Sequence, residues 1–104
     1  MRTLSDNQPE TYHVLGRKLF INYDIKEETV EDMDGSSRIQ YSYYSALCDI
    51  TSNRAERIEA IIATQYTTAQ ELATINNKAS KPDEYQVYQD LRTLAKELAD
   101  GYQT

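Results

Sequence analysis

A chain of 104 residues, 39% hydrophobic and 27% charged, suits one domain with one modest core and lies outside the composition of disordered segments. A formal charge of −6 argues against binding a phosphate backbone, which needs clustered lysine and arginine. The single cysteine, Cys48, excludes an internal disulfide, and no apolar run approaches the ~20 residues of a membrane helix.

Residues 1–11 are polar, lack periodicity and carry Pro9, which predicts a flexible arm. A short strand over Tyr12–Leu15, ending at Gly16, is expected next. From Lys18 the pattern sharpens: Leu19, Ile21, Tyr23 and Ile25 fall at every second position, the mark of a strand with one apolar face. Phe20 interrupts the polar side and suggests a partly covered outer face. A second alternating run, Ile39, Tyr41, Tyr43, Ser45 and Leu47, predicts the partner strand. That assignment sends Tyr44 and Ala46 to the opposite face.

The register of this hairpin follows from burial. A two-residue turn at Asp34-Gly35 would set the two apolar stripes on opposite faces. A three-residue loop, Met33-Asp34-Gly35, with Gly35 in the left-handed region, sets Asp32 against Ser36, Thr29 against Ile39, Ile25 against Tyr43 and Ile21 against Leu47. Both stripes then share one face. A one-residue slip would turn every side chain to the wrong side, so the three-residue loop is expected. On this reading Glu27, Glu28, Glu31, Asp32 and Asp34 line the solvated end of a long hairpin. They do not match a calcium loop, which needs acids at its first, third and fifth positions and glycine at the sixth; here "DMDGSS" places glycine fourth.

Helical spacing takes over after Asp49. Ser52 or Asn53 caps a first helix with Glu56 as in a capping box, and Ile58, Ile61, Ile62 and Tyr66 form its stripe. Thr68 with Glu71 predicts a second, short helix carrying Leu72 and Ile75. Pro82 opens the third, whose stripe is Val87, Leu91, Leu94 and Leu98, widened by Tyr88 and Ala95, with Gly101 as its stop. The expectation is a single α+β domain: an N-terminal antiparallel hairpin with a third short strand over 12–48, then three helices over 52–101 packed on one sheet face.

No catalytic pattern emerges. His13 stands alone, Cys48 reads as a small buried hydrophobe, and one cysteine with one histidine cannot supply a structural zinc site. The three glycines are isolated, so no phosphate-binding loop can be drawn, and no nucleophile elbow surrounds any serine. No cofactor or metal is expected. What remains is contact chemistry: nine tyrosines against one phenylalanine and no tryptophan suit either a two-faced sheet or a binding surface. Phe20 and Tyr44 are the outward aromatic candidates. Arg54 and Arg57, opposing the dipole at the start of the first helix, are candidates for pairing with a partner or with the acidic hairpin.

The succession "YDIKEETVEDMDGSSRIQYSYYSALCD", "RAERIEAIIATQYTTAQELATINN" and "KPDEYQVYQDLRTLAKELA" resembles small proteins of phage and prophage regions in gut Bacteroidetes, often encoded beside tail or other virion structural genes. The resemblance covers roughly residues 18–100. It implies a non-enzymatic structural or assembly role, with other phage structural proteins or further copies of itself as partners, in the cytoplasm or the virion, and no nucleic acid or membrane. It transfers no site residues. The alternative is a small acidic regulator that occupies a basic surface, which requires a one-sided acidic face.

Overall fold

The computed structural model describes residues 2–102. The chain forms β1 (Thr3–Ser5), β2 (Tyr12–Leu15), β3 (Lys18–Glu31) and β4 (Ser37–Asp49), then α1 (Arg54–Ala63), α2 (Thr68–Asn76) and α3 (Pro82–Gly101). The four strands make one antiparallel sheet in the order β1-β4-β3-β2. The class is α+β as expected, with four strands rather than three. Residues 3–5, assigned to the flexible arm, pair with Tyr41–Tyr43.

The hairpin loop has the predicted form. Asp32 N–H donates to Ser36 O at 2.7 Å and Gly35 N–H donates to Asp32 O at 3.0 Å, closing a three-residue loop with Gly35 at φ +85°. Thr29 faces Ile39 and Glu31 faces Ser37. A valine at Gly35 is expected to cost about 1–2 kcal/mol, because a Cβ is disfavoured at positive φ. Urea unfolding measures it, and an unchanged midpoint would contradict the loop geometry.

Closer to the helices the predicted register fails. A β-bulge between Tyr23 and Lys26 advances β3 by one residue, so that Tyr23 faces Tyr44 and Ile21 faces Ala46, not Leu47. Asp24 sits at φ +52° in this bulge, a conformation that aspartate tolerates better than most residues. The bulge changes which stripe of β4 meets the core. Ala46, Tyr44 and Cys48 pack with Leu19, Ile21 and Tyr23 on the helical side, whereas Leu47 is left 54% exposed. The stripe assigned to the core in β4 is therefore the outer one.

The core is closed by Ile58, Ile61 and Ile62 of α1 and by Tyr88, Leu91, Ala95 and Ala99 of α3. The buried seam of α3 is rotated about one position from the predicted one: Val87 is exposed, and Leu94 and Leu98 are half-buried flanks. Small residues at 95 and 99 let the helix approach closely. Only α1 and α3 complete the lid. No residue of α2 is buried, and Leu72 and Ile75 are exposed, so α2 leans on α3 rather than on the sheet. The α1 cap is Asn53 with Glu56, as predicted. The α2 capping box is Thr67 with Gln70, one residue before the predicted pair.

Beyond the bulge, β3 and β4 continue without helical cover, flanked by β1 as far as Tyr41 and as a two-stranded ribbon from there to the loop. The molecule is correspondingly long, 51 × 37 × 20 Å with a radius of gyration of 16.1 Å, against about 13 Å for a compact domain of this length. The ribbon also concentrates much of the chain's negative charge. Residues 24–41 carry six carboxylates and two basic side chains, a local charge of −4 out of −6.

Candidate interaction surface

Placing every helix on one side of the sheet leaves the other side without helical cover. Such a face normally carries polar side chains. Here the cross-strand neighbours Phe20 and Leu47, with His13 of β2 beside Phe20 and Leu15 at the end of β2, make it apolar. Leu15 is 65% exposed. The His13 and Phe20 rings lie 6.1 Å apart, tilted by 40°. Tyr43 and Ser45 extend the surface, and these groups with Asn22 line a shallow depression of about 460 Å³. None of these seven residues is an aspartate, glutamate, lysine or arginine. Lys18 and Asp49, opposite one another across the strands, lie at its edge.

Asn22 sits at the floor of this depression and is buried. Its side-chain amide donates to Glu10 O at 2.8 Å, and its N–H donates to Thr11 O at 2.7 Å. These bonds hold the segment 6–11, which must cross the sheet because β1 and β2 lie at opposite edges. Asn22 Oδ1 is buried without a hydrogen-bond partner among the described residues, and burying such an acceptor is costly unless something donates to it.

Phe20 is the one predicted contact residue that lies on this face. Tyr44 lies on the other side: it stacks on Tyr23 with centroids 5.4 Å apart, and the Arg2 guanidinium covers it at 4.8 Å. Arg2 also donates to the Asp24 carboxylate at 2.8 Å and to Asp24 O and Ser42 O, each at 2.6 Å. The bulge and β1 are thereby fastened to each other. Arg57 is buried, with Cζ 4.9 Å from the Tyr102 ring centroid, and so belongs to the packing of α1 against the chain's end. Arg54 is exposed and pairs with Asp100 at 2.6 Å. That pair places opposite charges where each alone opposes a helix dipole. The four candidates therefore do not form one patch. Sequence reasoning missed Leu15, Leu47 and Tyr43 as surface groups, because the uniform register had turned the last two inward.

A second concavity of about 780 Å³ lies between the helices, walled by Ile58, Ile62 and Tyr66 and closed by Glu71 and Arg92. Its polar end is internally matched. Tyr88 hydroxyl donates to Glu71 Oε2 at 2.8 Å, and Arg92 Nη1 donates to the Tyr88 oxygen at 3.2 Å. The sheet separates Cys48, which neighbours Leu19 on the helical side, from His13, which neighbours Phe20 on the open side. Among the described residues no cluster of His, Cys, Asp and Glu could hold a metal ion, and no helix is long and apolar enough to cross a membrane. In the hairpin loop, Asp34 accepts from Ser36 N–H at 3.0 Å and from its hydroxyl at 2.6 Å, which lowers the pKa of this carboxyl.

Burial raises the phenol pKa values of Tyr12, Tyr23 and Tyr88 above 10, despite the hydrogen bonds from Gln65 to Tyr23 and from Arg92 to Tyr88. Above pH 10 the unfolded chain loses these protons before the folded one does. Stability is therefore fully present below pH 10 and is expected to fall as pH rises through the raised native values. Urea midpoints across that range test this, and Tyr23→Phe should flatten part of the slope. A flat profile in the wild type would contradict the burial of these hydroxyls.

No protein-family model matches the chain, and no curated protein or solved structure matches it.

Proposed function

We propose that this protein is a non-enzymatic structural or assembly accessory module of a phage-like particle, and that it joins a second copy of itself through the open face of its sheet. The carrying observation is the uncharged apolar surface of Leu15, Phe20, Tyr43 and Leu47 on a face that no helix covers. Two sheets pack face to face about 10 Å apart when both present such side chains. In a chain of charge −6, an uncharged patch is also where two copies meet with least repulsion. The resemblance of residues 18–100 to phage-encoded proteins supplies the assembly setting.

Sedimentation equilibrium tests this. The wild type is expected to dimerise reversibly at micromolar to tens-of-micromolar concentration, in the range of modest interfaces. Phe20→Ser with Leu47→Ser should remain monomeric with an unchanged circular dichroism spectrum. A wild type that is monomeric throughout, or a folded double variant that dimerises equally well, would overturn the proposal.

The acidic-regulator reading is favoured by one separate observation, the gathering of −4 on the ribbon.

A further inference from the structure

We infer that the free edge of β3 on the projecting ribbon is a docking edge for a basic, extended segment of another protein, which adds to it as a strand. This surface is distinct from the open face, and its residues play no part in the dimerisation test above.

The main chain carries the first part of the argument. β2 pairs with β3 only over residues 18–21, and the bond from Asn22 N–H to Thr11 O ends that contact. Farther out, no strand among the described residues pairs with the side of β3 that faces away from β4. Asp32 N–H points to β4, where it bonds Ser36 O. The alternation of an antiparallel ladder then directs the N–H and C=O groups of Glu31, Thr29 and Glu27 outward, to the free edge. Three consecutive outward positions form a template for another strand.

Charge selects the occupant. Glu27 and Glu31 flank Thr29 on one face of the ribbon, and Glu28 lies on the other. None of the three carboxylates has an ion-pair partner among the described residues. Arg38, the nearest ribbon arginine, is engaged with Asp32 and Asp6, and Lys26 is the one basic side chain in β3 beyond the bulge. A second copy of this chain is a poor occupant: antiparallel pairing centred on Thr29 would set each Glu27 against the other copy's Glu31, a like-charge contact that destabilises a sheet. A strand with lysine or arginine at alternate positions meets the same carboxylates favourably and satisfies the same main-chain groups. The edge that resists self-association is thus complementary to a basic strand.

The test uses the whole protein and a blocked peptide of about nine residues, within normal strand length, alternating lysine with threonine or valine. Added to isotopically labelled protein, the peptide should slow amide exchange at Glu27, Thr29 and Glu31, and not at Glu28 or Val30, whose N–H groups already bond to β4. Affinity should fall as salt rises. Methylating alternate peptide nitrogens keeps the charge and blocks the strand bonds, and should weaken binding about tenfold or more. Glu27→Lys with Glu31→Lys should do the same while leaving sedimentation behaviour and fold unchanged. Absence of peptide binding, equal binding of the methylated peptide, or protection elsewhere on the molecule would each overturn the inference.

Discussion

Truncating Ile61 to alanine is expected to lower the unfolding free energy by about 2–5 kcal/mol. Ile61 is fully buried where α1 meets both the sheet and α3, so deletion of its outer carbons leaves a cavity walled by three elements that cannot all collapse into it. For a domain whose total stability is on the order of 5–15 kcal/mol, that is a large share. Leu91→Ala should behave similarly, since Leu91 sits in the observed seam. Val87→Ala is the matched control. Val87 belonged to the predicted stripe but is 61% exposed, and its truncation should stay within about 0.5 kcal/mol. Urea unfolding of the three variants separates the two seams, and a loss at Val87 comparable to that at Leu91 would return the helix to the predicted rotation.

The second large effect is expected at Gly101. A Cβ built there would lie 2.3 Å from the Tyr12 hydroxyl oxygen, the group that donates to Leu98 O at 2.6 Å. Alanine must therefore displace Tyr12, break its bond to the end of α3 and disturb its tilted contact with Tyr102, whose ring lies 5.5 Å away. About 1–3 kcal/mol is the expected cost. Because the conflict centres on one oxygen, Tyr12→Phe in the same chain should recover part of it, and the double-mutant cycle should show a clear coupling term. Strict additivity of the two substitutions would mean that the end of α3 does not rest on β2 as described.

What could be read in advance was local. The Gly35 loop, the Asn53 capping box and Pro82 at the head of α3 are decided by residues within a turn of one another, and they stand as the sequence implied. What could not be read was set at a distance. Thr3-Leu4-Ser5 has one apolar side chain and no pattern; it is a strand because Arg2 reaches Ser42 and Asp24, some 40 and 22 positions away. The bulge was hidden for a related reason. A register carried from the loop treats the ladder as uniform, and Asp24 at φ +52° breaks it with a residue that is not glycine. One signal was present: β4 contains two apolar stripes, and only the smaller one, through Ala46, leaves room for a helix against the sheet. Size misled the reading of α3 in the same way: Leu94 and Leu98 were expected at the centre of the stripe and Ala95 at its margin, whereas Ala95 and the unassigned Ala99 are buried and the two leucines flank them.

The bulge also links the fold to the proposed function. By shifting β3 one residue, it gives the helices Ala46 and Tyr44 and turns Leu47 and Tyr43 to the open face beside Phe20. Without it the hairpin would bury the surface that we assign to docking, and the acidic ribbon would lie in phase with the core.

An isotope-filtered nuclear Overhauser experiment on an equal mixture of labelled and unlabelled protein tests the docking face most directly. Intermolecular contacts among the Leu15, Phe20, Tyr43 and Leu47 side chains are the predicted result. Contacts arising instead from the groove between the helices, or none at a concentration where sedimentation shows a dimer, would contradict it.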